Sequence, residues 1–292
     1  MYMKTASKAV DYLRMIRFSH TIFALPFALA SVVLVSRNHT LNVHSVLWII
    51  VAMAGARSFA MGFNRLADAS IDSRNKRTAM REIPKGVISR KEAGFFVIVS
   101  GAVFVFSAAM LSGDCFLLSF PVLGILSLYS YTKRFTWLAH IFLGFAIGLA
   151  PMAVWVALTG SLSWKIGVLC AALLTYIAGF DILYACQDAD FDTAEGLYSI
   201  PSVFGIKKAL IISRIMHCIS IGALAGLYWL FALSPVYLVF TGIIAMLFVI
   251  EHSLVNPDDL SRINLAFFHV NSVISVMVFV AVFSGEMLRG VI

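Results

Sequence analysis

The sequence predicts an all-α polytopic membrane protein, a bundle of nine transmembrane helices with its N-terminus in the cytoplasm. Hydrophobic residues make up 61% of its 292 residues and charged residues only 13%, and the mean hydropathy is +0.92. A soluble domain is about half apolar and a quarter charged, so this composition excludes a water-soluble globular protein. The apolar residues also fall in long runs without the alternation of barrel strands, which predicts helices in a lipid bilayer.

Nine apolar runs, each bounded by charged or turn residues, are the predicted spans. A helix needs about 20 apolar residues to cross a bilayer, and backbone groups in lipid must be hydrogen-bonded within the helix itself. Pro and Gly inside several runs fit this prediction, since they allow kinks and close helix packing. The predicted spans are residues 18–36, 45–63, 94–112, 115–132, 138–158, 166–187, 208–231, 234–251 and 267–288.

The basic residues predict the orientation of the bundle. Of the 22 Lys and Arg residues, 18 lie in the N-terminal segment or in loops after even-numbered spans, and three lie on the opposite side. Cytoplasmic loops carry the excess of positive charge, so residues 64–93 and 188–207 are expected in the cytoplasm. Residues 1–17 combine helically spaced apolar residues with basic ones and are predicted to lie along the membrane surface. The net charge of +7 then needs no nucleic-acid partner, which would require a basic face on a soluble surface.

Two groups of polar residues lie where predicted spans end on the cytoplasmic side. Each places three oxygen-bearing side chains four residues apart: Asn64, Asp68 and Asp72 in the first acidic cluster, and Tyr184, Asp188 and Asp192 in the second acidic cluster. Side chains at this spacing share one face of a helix, and carboxylates on one face repel each other unless a cation lies between them. Mg²⁺ is bound by one or two carboxylates together with phosphate oxygens of a substrate.

A single acidic cluster in a loop is most often a solvated surface. Two clusters with the same spacing on the same side of the membrane favour a shared site for Mg²⁺ and a diphosphate instead. Lys133 and Arg77, which lie in neighbouring cytoplasmic segments, are candidates for binding the diphosphate oxygens. Cytoplasmic loops carry basic residues regardless of function, so the sequence leaves both interpretations of these two residues open.

Arg57 and Asp181 lie within predicted spans. Charges in a span are costly and usually either functional or paired. A substrate carboxylate could bind to Arg57, or to Arg17 and His20 at the start of the first span. The alternative is a structural ion pair between Arg57 and Asp181, and the sequence does not decide between these hypotheses.

The polar segments resemble the motifs of the UbiA superfamily of intramembrane prenyltransferases. The first motif of that family, N-D-x-x-D-x-x-x-D, is matched by residues 64–72, except that Arg65 replaces the first Asp. Its second motif, D-x-x-Y-A-x-x-D-x-x-x-D, is matched by residues 181–192. Residues 77–86 match the pattern R-T-x-x-R-x-x-P-x-G, and residues 131–133 look like the family's Y-x-K element. The resemblance extends over most of the chain and includes nine spans.

This resemblance implies one prenyltransferase domain over residues 1–292, which transfers a polyprenyl group from polyprenyl diphosphate to an aromatic acid with Mg²⁺ as cofactor. The implied acceptor is 4-hydroxybenzoate in ubiquinone biosynthesis or, alternatively, a dihydroxynaphthoate in menaquinone biosynthesis. A bacterial inner membrane, with the active site facing the cytoplasm, is the implied location. The implied catalytic residues are Asp68, Asp72, Asp188, Asp192 and Asn64, of which the four Asp residues bind the metal, and the implied substrate contacts are Lys133, Arg77, Arg57, Tyr184, Asp181 and Arg17.

Two other classes of protein are compatible with a polytopic chain. An ion-coupled transporter predicts ionisable residues near the middle of several spans and broken helices in matched positions. Most predicted spans here lack such residues, and the acidic residues crowd one face of the membrane. A non-enzymatic scaffold leaves the two acidic clusters unexplained, so the enzyme is the favoured interpretation.

Overall fold

A computed structural model describes the backbone of residues 2–290 and their side chains, except those of residues 2–7 and 18. Residue 1 of the predicted surface segment and residues 291–292 of the predicted domain lie outside the described residues. The described chain is helical: it contains no β-strand, only an isolated bridge between Asn256 and Asp259. The predicted all-α class is therefore confirmed.

Fourteen α-helices follow one another along the described chain. They are α1 (Tyr2–Met15), α2 (Leu25–Ser36), α3 (Val43–Ala67), α4 (Ala69–Asp72), α5 (Arg90–Leu111), α6 (Gly113–Tyr129), α7 (Ala139–Gly148), α8 (Ala150–Thr159), α9 (Trp164–Ala185), α10 (Ala189–Ala194), α11 (Ile200–Phe204), α12 (Ile206–Leu230), α13 (Val236–Ser253) and α14 (Asn271–Met287). Short 3₁₀-helices cover Phe18–Phe23, Thr132–Arg134 and Cys186–Asp188, and a π-helix covers Leu265–Val270.

Seven helical stretches in the described chain are long and apolar enough to cross a membrane, namely Val43–Ala67, Arg90–Leu111, Ala139–Thr159, Trp164–Ala194, Ile206–Leu230, Val236–Ser253 and Leu265–Met287. They coincide with seven of the nine predicted spans. The predicted span 18–36 qualifies only if Lys8–Phe23 and Leu25–Ser36 are taken together as one broken span. The predicted span 115–132 corresponds to α6, an apolar helix of 17 residues with Pro121 inside it. The total of nine spans and the orientation of the N-terminus stay predictions.

The two predicted cytoplasmic segments, residues 64–93 and 188–207, are partly helical. Residues 64–72 belong largely to α3 and α4, and α5 begins at Arg90, where Ser89 and Glu92 form a capping box. The segment 188–207 contains α10 and α11. Reciprocal caps of this kind satisfy the free N–H groups at a helix start, which stabilises the start of α5.

The chain divides into two compact units: unit 1 comprises Met1–Thr21 and Val43–Tyr131, and unit 2 comprises Ile22–Asn42 and Thr132–Ile292. In unit 1, α3 packs along α5, and α6 packs against α5. A small apolar cluster of unit 1 joins the end of α1 to the segment before α5, through Met15 and Ile16 on one side and Ile83 and Ile88 on the other.

In unit 2, α9 is the central helix. It packs against α7 and α12, and 13 of its 22 residues are buried. A helix that is apolar on all sides is expected in the interior of a bundle. Gly144 on α7 has no room for a side chain, because a Cβ there would clash with the carbonyl oxygen of Leu174. The C-terminal end of α9 thus carries Asp181 and Tyr184 on a rigid support.

Large apolar side chains cover much of the outer surface of both units. Phe95 and Ile98 in unit 1, and Trp229 and Val249 in unit 2, are each at least 70% exposed. Soluble proteins rarely expose apolar patches of this extent. Together with the seven apolar helices, these surfaces indicate an integral membrane protein.

Candidate functional site

The first acidic cluster lies where the long helix α3 gives way to the short helix α4. Asp68 occupies the break, with φ −94° and ψ 2°. The hydrogen bonds from Asp68 N to Asn64 O (2.9 Å) and from Asp72 N to Asp68 O (2.8 Å) continue the helical pattern through it. The three side chains therefore keep the one-face arrangement that the four-residue spacing predicts, and Asn64 Nδ2 donates to Asp68 Oδ2 at 3.0 Å.

Asp72 is the most enclosed member of the first cluster, with 8% of its side chain exposed. Arg81 Nη1 lies 2.6 Å from Asp72 Oδ1 and 2.7 Å from Asp72 Oδ2. The Thr78 hydroxyl donates to the carbonyl oxygen of Asp72 at 3.1 Å, so the segment after α4 folds back onto it. Arg81 belongs to the R-T-x-x-R pattern, but sequence reasoning did not place it in the site; its spacing from Asp72 gave no signal.

The second acidic cluster repeats this arrangement in unit 2. The long helix α9 ends at Ala185, a 3₁₀ turn follows, and Asp188 stands before α10 with φ −104° and ψ 4°. Asp192, four residues later, is almost completely buried, and Lys133 Nζ lies 3.4 Å from its Oδ2. The carbonyl oxygen of Lys133 accepts a hydrogen bond from Tyr198 N at 2.7 Å, which fixes the lysine backbone beside the cluster.

The charge of Lys133 is stabilised by its surroundings. Partial burial by itself lowers the pKa of the ammonium group, but the carboxylates of Asp192, Asp181 and Asp188 outweigh it and raise the pKa above its usual value. Nearby opposite charges favour the charged form of a group. The surroundings of Lys133 at the second cluster therefore favour its charged form.

The two clusters share a local design. Each has an Asp at a helix break, in a sparsely populated backbone region that is common in active sites, and a buried Asp four residues later beside a basic side chain. Carboxylate and amide oxygens are the donors that Mg²⁺ prefers, and basic side chains suit a diphosphate. Among the described residues, no three His, Cys, Asp or Glu side chains are grouped closely enough to hold a metal ion by themselves.

Two of the predicted contacts of unit 1, Arg57 and Arg17, meet just after the end of α1. Arg57 Nη2 donates to the carbonyl oxygen of Arg17 at 3.1 Å, and Arg65 Nε donates to that of Met15 at 3.1 Å. The last carbonyl groups of a helix lack partners within it and attract cations. The buried Arg65, which departs from the family motif, thus holds the end of α1. Arg77 lies half-buried in the segment after α4, where its N–H donates to Asn75 Oδ1 at 2.9 Å.

The predicted contacts of unit 2 lie at the end of α9. The Tyr184 ring packs on Phe267, with ring centroids 4.1 Å apart. Asp181 Oδ2 lies 2.7 Å from Nδ1 of His140 on α7. His140 was not predicted as a site residue, although the sequence carried a signal: it is the only ionisable residue in the predicted span 138–158, where such groups are costly. An ion pair between Arg57 and Asp181 stays a prediction.

Comparison with known proteins identifies the family. Residues 24–273 match the UbiA prenyltransferase family. The 4-hydroxybenzoate octaprenyltransferase of Vibrio campbellii is 28% identical over 277 residues, which cover 92% of this chain and 95% of that protein. The protein of the same name from Vibrio parahaemolyticus is 30% identical over 218 residues, covering 74% of this chain and 76% of the relative.

Solved structures share the fold. A UbiA homolog from Aeropyrum pernix K1 superposes with a TM-score of 0.81 at 30% identity, covering 90% of this chain and 96% of that one. A UbiA homolog from Archaeoglobus fulgidus, bound to GPP and Mg²⁺, has a TM-score of 0.71 at 23% identity and covers 94% of this chain and 99% of that one. The match over most of the chain, on a frame of apolar helices, shows that the protein belongs to the UbiA prenyltransferase family and is a membrane-embedded prenyltransferase.

Proposed function

We propose that the protein transfers a polyprenyl group from polyprenyl diphosphate to 4-hydroxybenzoate, in a Mg²⁺-dependent step of ubiquinone biosynthesis. The observation that carries this proposal is the shared design of the two acidic clusters, in which Asp72 lies beside Arg81 and Asp192 beside Lys133. The names of the Vibrio relatives support the choice of acceptor. The Mg²⁺ and GPP bound to the Archaeoglobus fulgidus homolog support a metal and a prenyl diphosphate.

The acidic clusters hold the metal-bound diphosphate in this proposal. The metal ligands are Asp68 and Asp72 in the first cluster and Asp188 and Asp192 in the second, and Asn64 orients Asp68. When bound, Mg²⁺ neutralises the charge that grows on the diphosphate as the allylic C–O bond breaks. Lys133 and Arg77 donate to the same leaving group, which stabilises charge that develops in the transition state.

The aromatic acid binds beside the diphosphate in this proposal. Arg57 and Arg17 attract its carboxylate, and Asp181 and Tyr184 contact the ring and its hydroxyl group. The allylic carbon bonds to the ring carbon next to the phenolic hydroxyl, the electron pair of the broken bond leaves with the diphosphate, and a proton leaves the ring to restore aromaticity. Residues 64–93 exclude water, which would otherwise capture the allylic cation.

The membrane topology is part of the proposal. We expect nine spans, a cytoplasmic N-terminus with residues 1–17 on the membrane surface, and one catalytic domain over residues 1–292. The excess of basic residues in the same set of loops supports an active site that faces the cytoplasm. The bacterial relatives support a location in a bacterial inner membrane.

The acceptor is tested by offering 4-hydroxybenzoate and a dihydroxynaphthoate side by side with one prenyl diphosphate and weighing the products. We expect a prenylated 4-hydroxybenzoate that forms only with Mg²⁺. A product on the dihydroxynaphthoate alone would reassign the enzyme to a menaquinone pathway. Uptake of substrate into vesicles without release of diphosphate would contradict prenyl transfer.

The metal site is tested by Asp68→Asn and Asp192→Asn. Each removes a carboxylate without changing its size, so we expect prenyl transfer to be lost while membrane insertion is kept. Asp114→Asn is the matched control, because Asp114 is an exposed carboxylate in the first turn of α6, outside both clusters. Full activity in both cluster variants would contradict the metal assignment.

A further inference from the structure

The pair formed by His140 and Asp181 lies at a tight contact between α7 and α9. The His140 ring is fully buried, and its Nδ1 lies 2.7 Å from Asp181 Oδ2. One turn further along α7, Gly144 touches the backbone of Leu174, two turns before Asp181 on α9. Residues one or two turns apart share a helix face. The close helix contact therefore fixes the distance between the imidazole and the carboxylate.

The surroundings of His140 determine which ring nitrogen carries the proton. Nε2 is buried and has no hydrogen-bond partner in the described structure. A buried N–H without a partner is costly, which favours a proton on Nδ1, from where it is donated to Asp181 Oδ2. Asp181 then accepts this bond through Oδ2. Because Nε2 is enclosed, His140 acts on a bound substrate only through Asp181.

Asp181 itself is only partly enclosed. About a quarter of its side chain (24%) is exposed, and it lies one helical turn before Tyr184. Its charge also acts on Lys133, the cation of the second acidic cluster. A carboxylate held by one oxygen has a second oxygen with which to accept a hydrogen bond from a hydroxyl group.

We infer that His140 is a positioning residue, which holds the Asp181 carboxylate in one orientation and ready to accept a hydrogen bond from the hydroxyl group of the aromatic acceptor. This inference rests on the proposed function for the identity of the acceptor. It assigns a role in acceptor binding to a residue outside every motif of the sequence. The histidine shapes the acceptor site without touching the acceptor or the diphosphate.

Two amide substitutions separate this role from a structural one. In His140→Asn the amide nitrogen comes close to the position of Nδ1, whereas in His140→Gln it comes close to that of Nε2. We expect His140→Gln to raise the KM for 4-hydroxybenzoate or lower kcat by about tenfold to a hundredfold, the value of a hydrogen bond to a charged group. His140→Asn should stay within about threefold of the wild type, and the KM for prenyl diphosphate should change little in either variant.

A purely structural role predicts a different result. Equal losses in His140→Asn and His140→Gln, or equal rises in the KM of both substrates, would overturn the inference, with thermal unfolding in detergent as the control for folding. Nitrogen NMR of protein labelled at histidine gives a readout without catalysis: we expect a protonated Nδ1 for the His140 signal, assigned by its loss in His140→Asn. A proton on Nε2 would overturn the inference even if prenyl transfer is confirmed. An absence of prenyl transfer in the wild type, with Nδ1 protonated, would contradict the proposed function alone.

Discussion

The ion pair between Arg81 and Asp72 predicts how strongly the first acidic cluster binds a divalent cation before any substrate is present. Arg81 Nη1 lies 2.6 and 2.7 Å from the two carboxylate oxygens, and only 8% of the Asp72 side chain is exposed. A metal ion that binds Asp72 must therefore displace the guanidinium group. We expect Arg81→Met, which keeps the length of the side chain without its charge, to tighten this binding.

The size of the effect follows from the bond that is displaced. A hydrogen bond between charged groups contributes about 1.5–3 kcal/mol, and each 1.4 kcal/mol is about a factor of ten. Mn²⁺ titrated calorimetrically into the ligand-free protein in detergent should thus bind about tenfold to a hundredfold more tightly to Arg81→Met.

Two variants control this experiment. Lys85→Met removes one positive charge from an exposed position in the same segment and should leave Mn²⁺ binding near the wild-type value. Arg81→Lys keeps the charge and should lie between the wild type and Arg81→Met. Unchanged or weaker Mn²⁺ binding by a folded Arg81→Met protein would refute the argument that the guanidinium group competes with the metal.

Two further predictions concern charge and stability. Because neighbouring carboxylates raise the pKa of Lys133, its ammonium group loses its proton only above the ordinary lysine pKa of about 10.4. We therefore expect the KM for prenyl diphosphate in Lys133→Gln, divided by that of the wild type, to be constant between about pH 7 and 9.5. A ratio that falls toward one within this range would contradict the assignment. The ion pair between Arg37 and Glu286 joins the end of α2 to α14, and the two side chains are 19% and 9% exposed, respectively. Glu286→Gln should therefore lower the free energy of unfolding by about 2–3 kcal/mol, as measured by denaturation in detergent. Glu92→Gln, at the exposed pair with Lys8, is the matched control and should leave unfolding nearly unchanged; equal effects would contradict burial as the cause.

The helices were largely predictable because apolar runs and charges determine them locally. The four-residue spacing of Asn64, Asp68 and Asp72 correctly predicts one helix face, since the hydrogen bonds of the helix continue through the break at Asp68. The break itself was not predicted. The segment after the break folds back, so that the Thr78 hydroxyl contacts the carbonyl oxygen of Asp72, six residues earlier in the sequence. No local pattern of the sequence indicates this contact.

Partners distant in sequence could not be predicted. His140 and Asp181 are 41 residues apart, and Lys133 and Asp192 are 59 apart. Nothing in the composition of α7 specifies which residue of α9 it meets, because helix packing depends on the shape of both surfaces. Arg65 is a second example. The family motif shows only that it replaces an Asp, whereas its hydrogen bond to the carbonyl oxygen of Met15 at the end of α1 is visible only in the structure.

The amino-acid sequence by itself determined the membrane character of this protein, its helical class, its family motifs and the position of its two acidic clusters, because hydropathy, charge and spacing act over a few turns of one helix. Only the tertiary structure decided which cation lies beside Asp72 and Asp192 and which carboxylate lies beside His140. These depend on the distance between side chains from separate helices, and that distance exists only once the helices have packed.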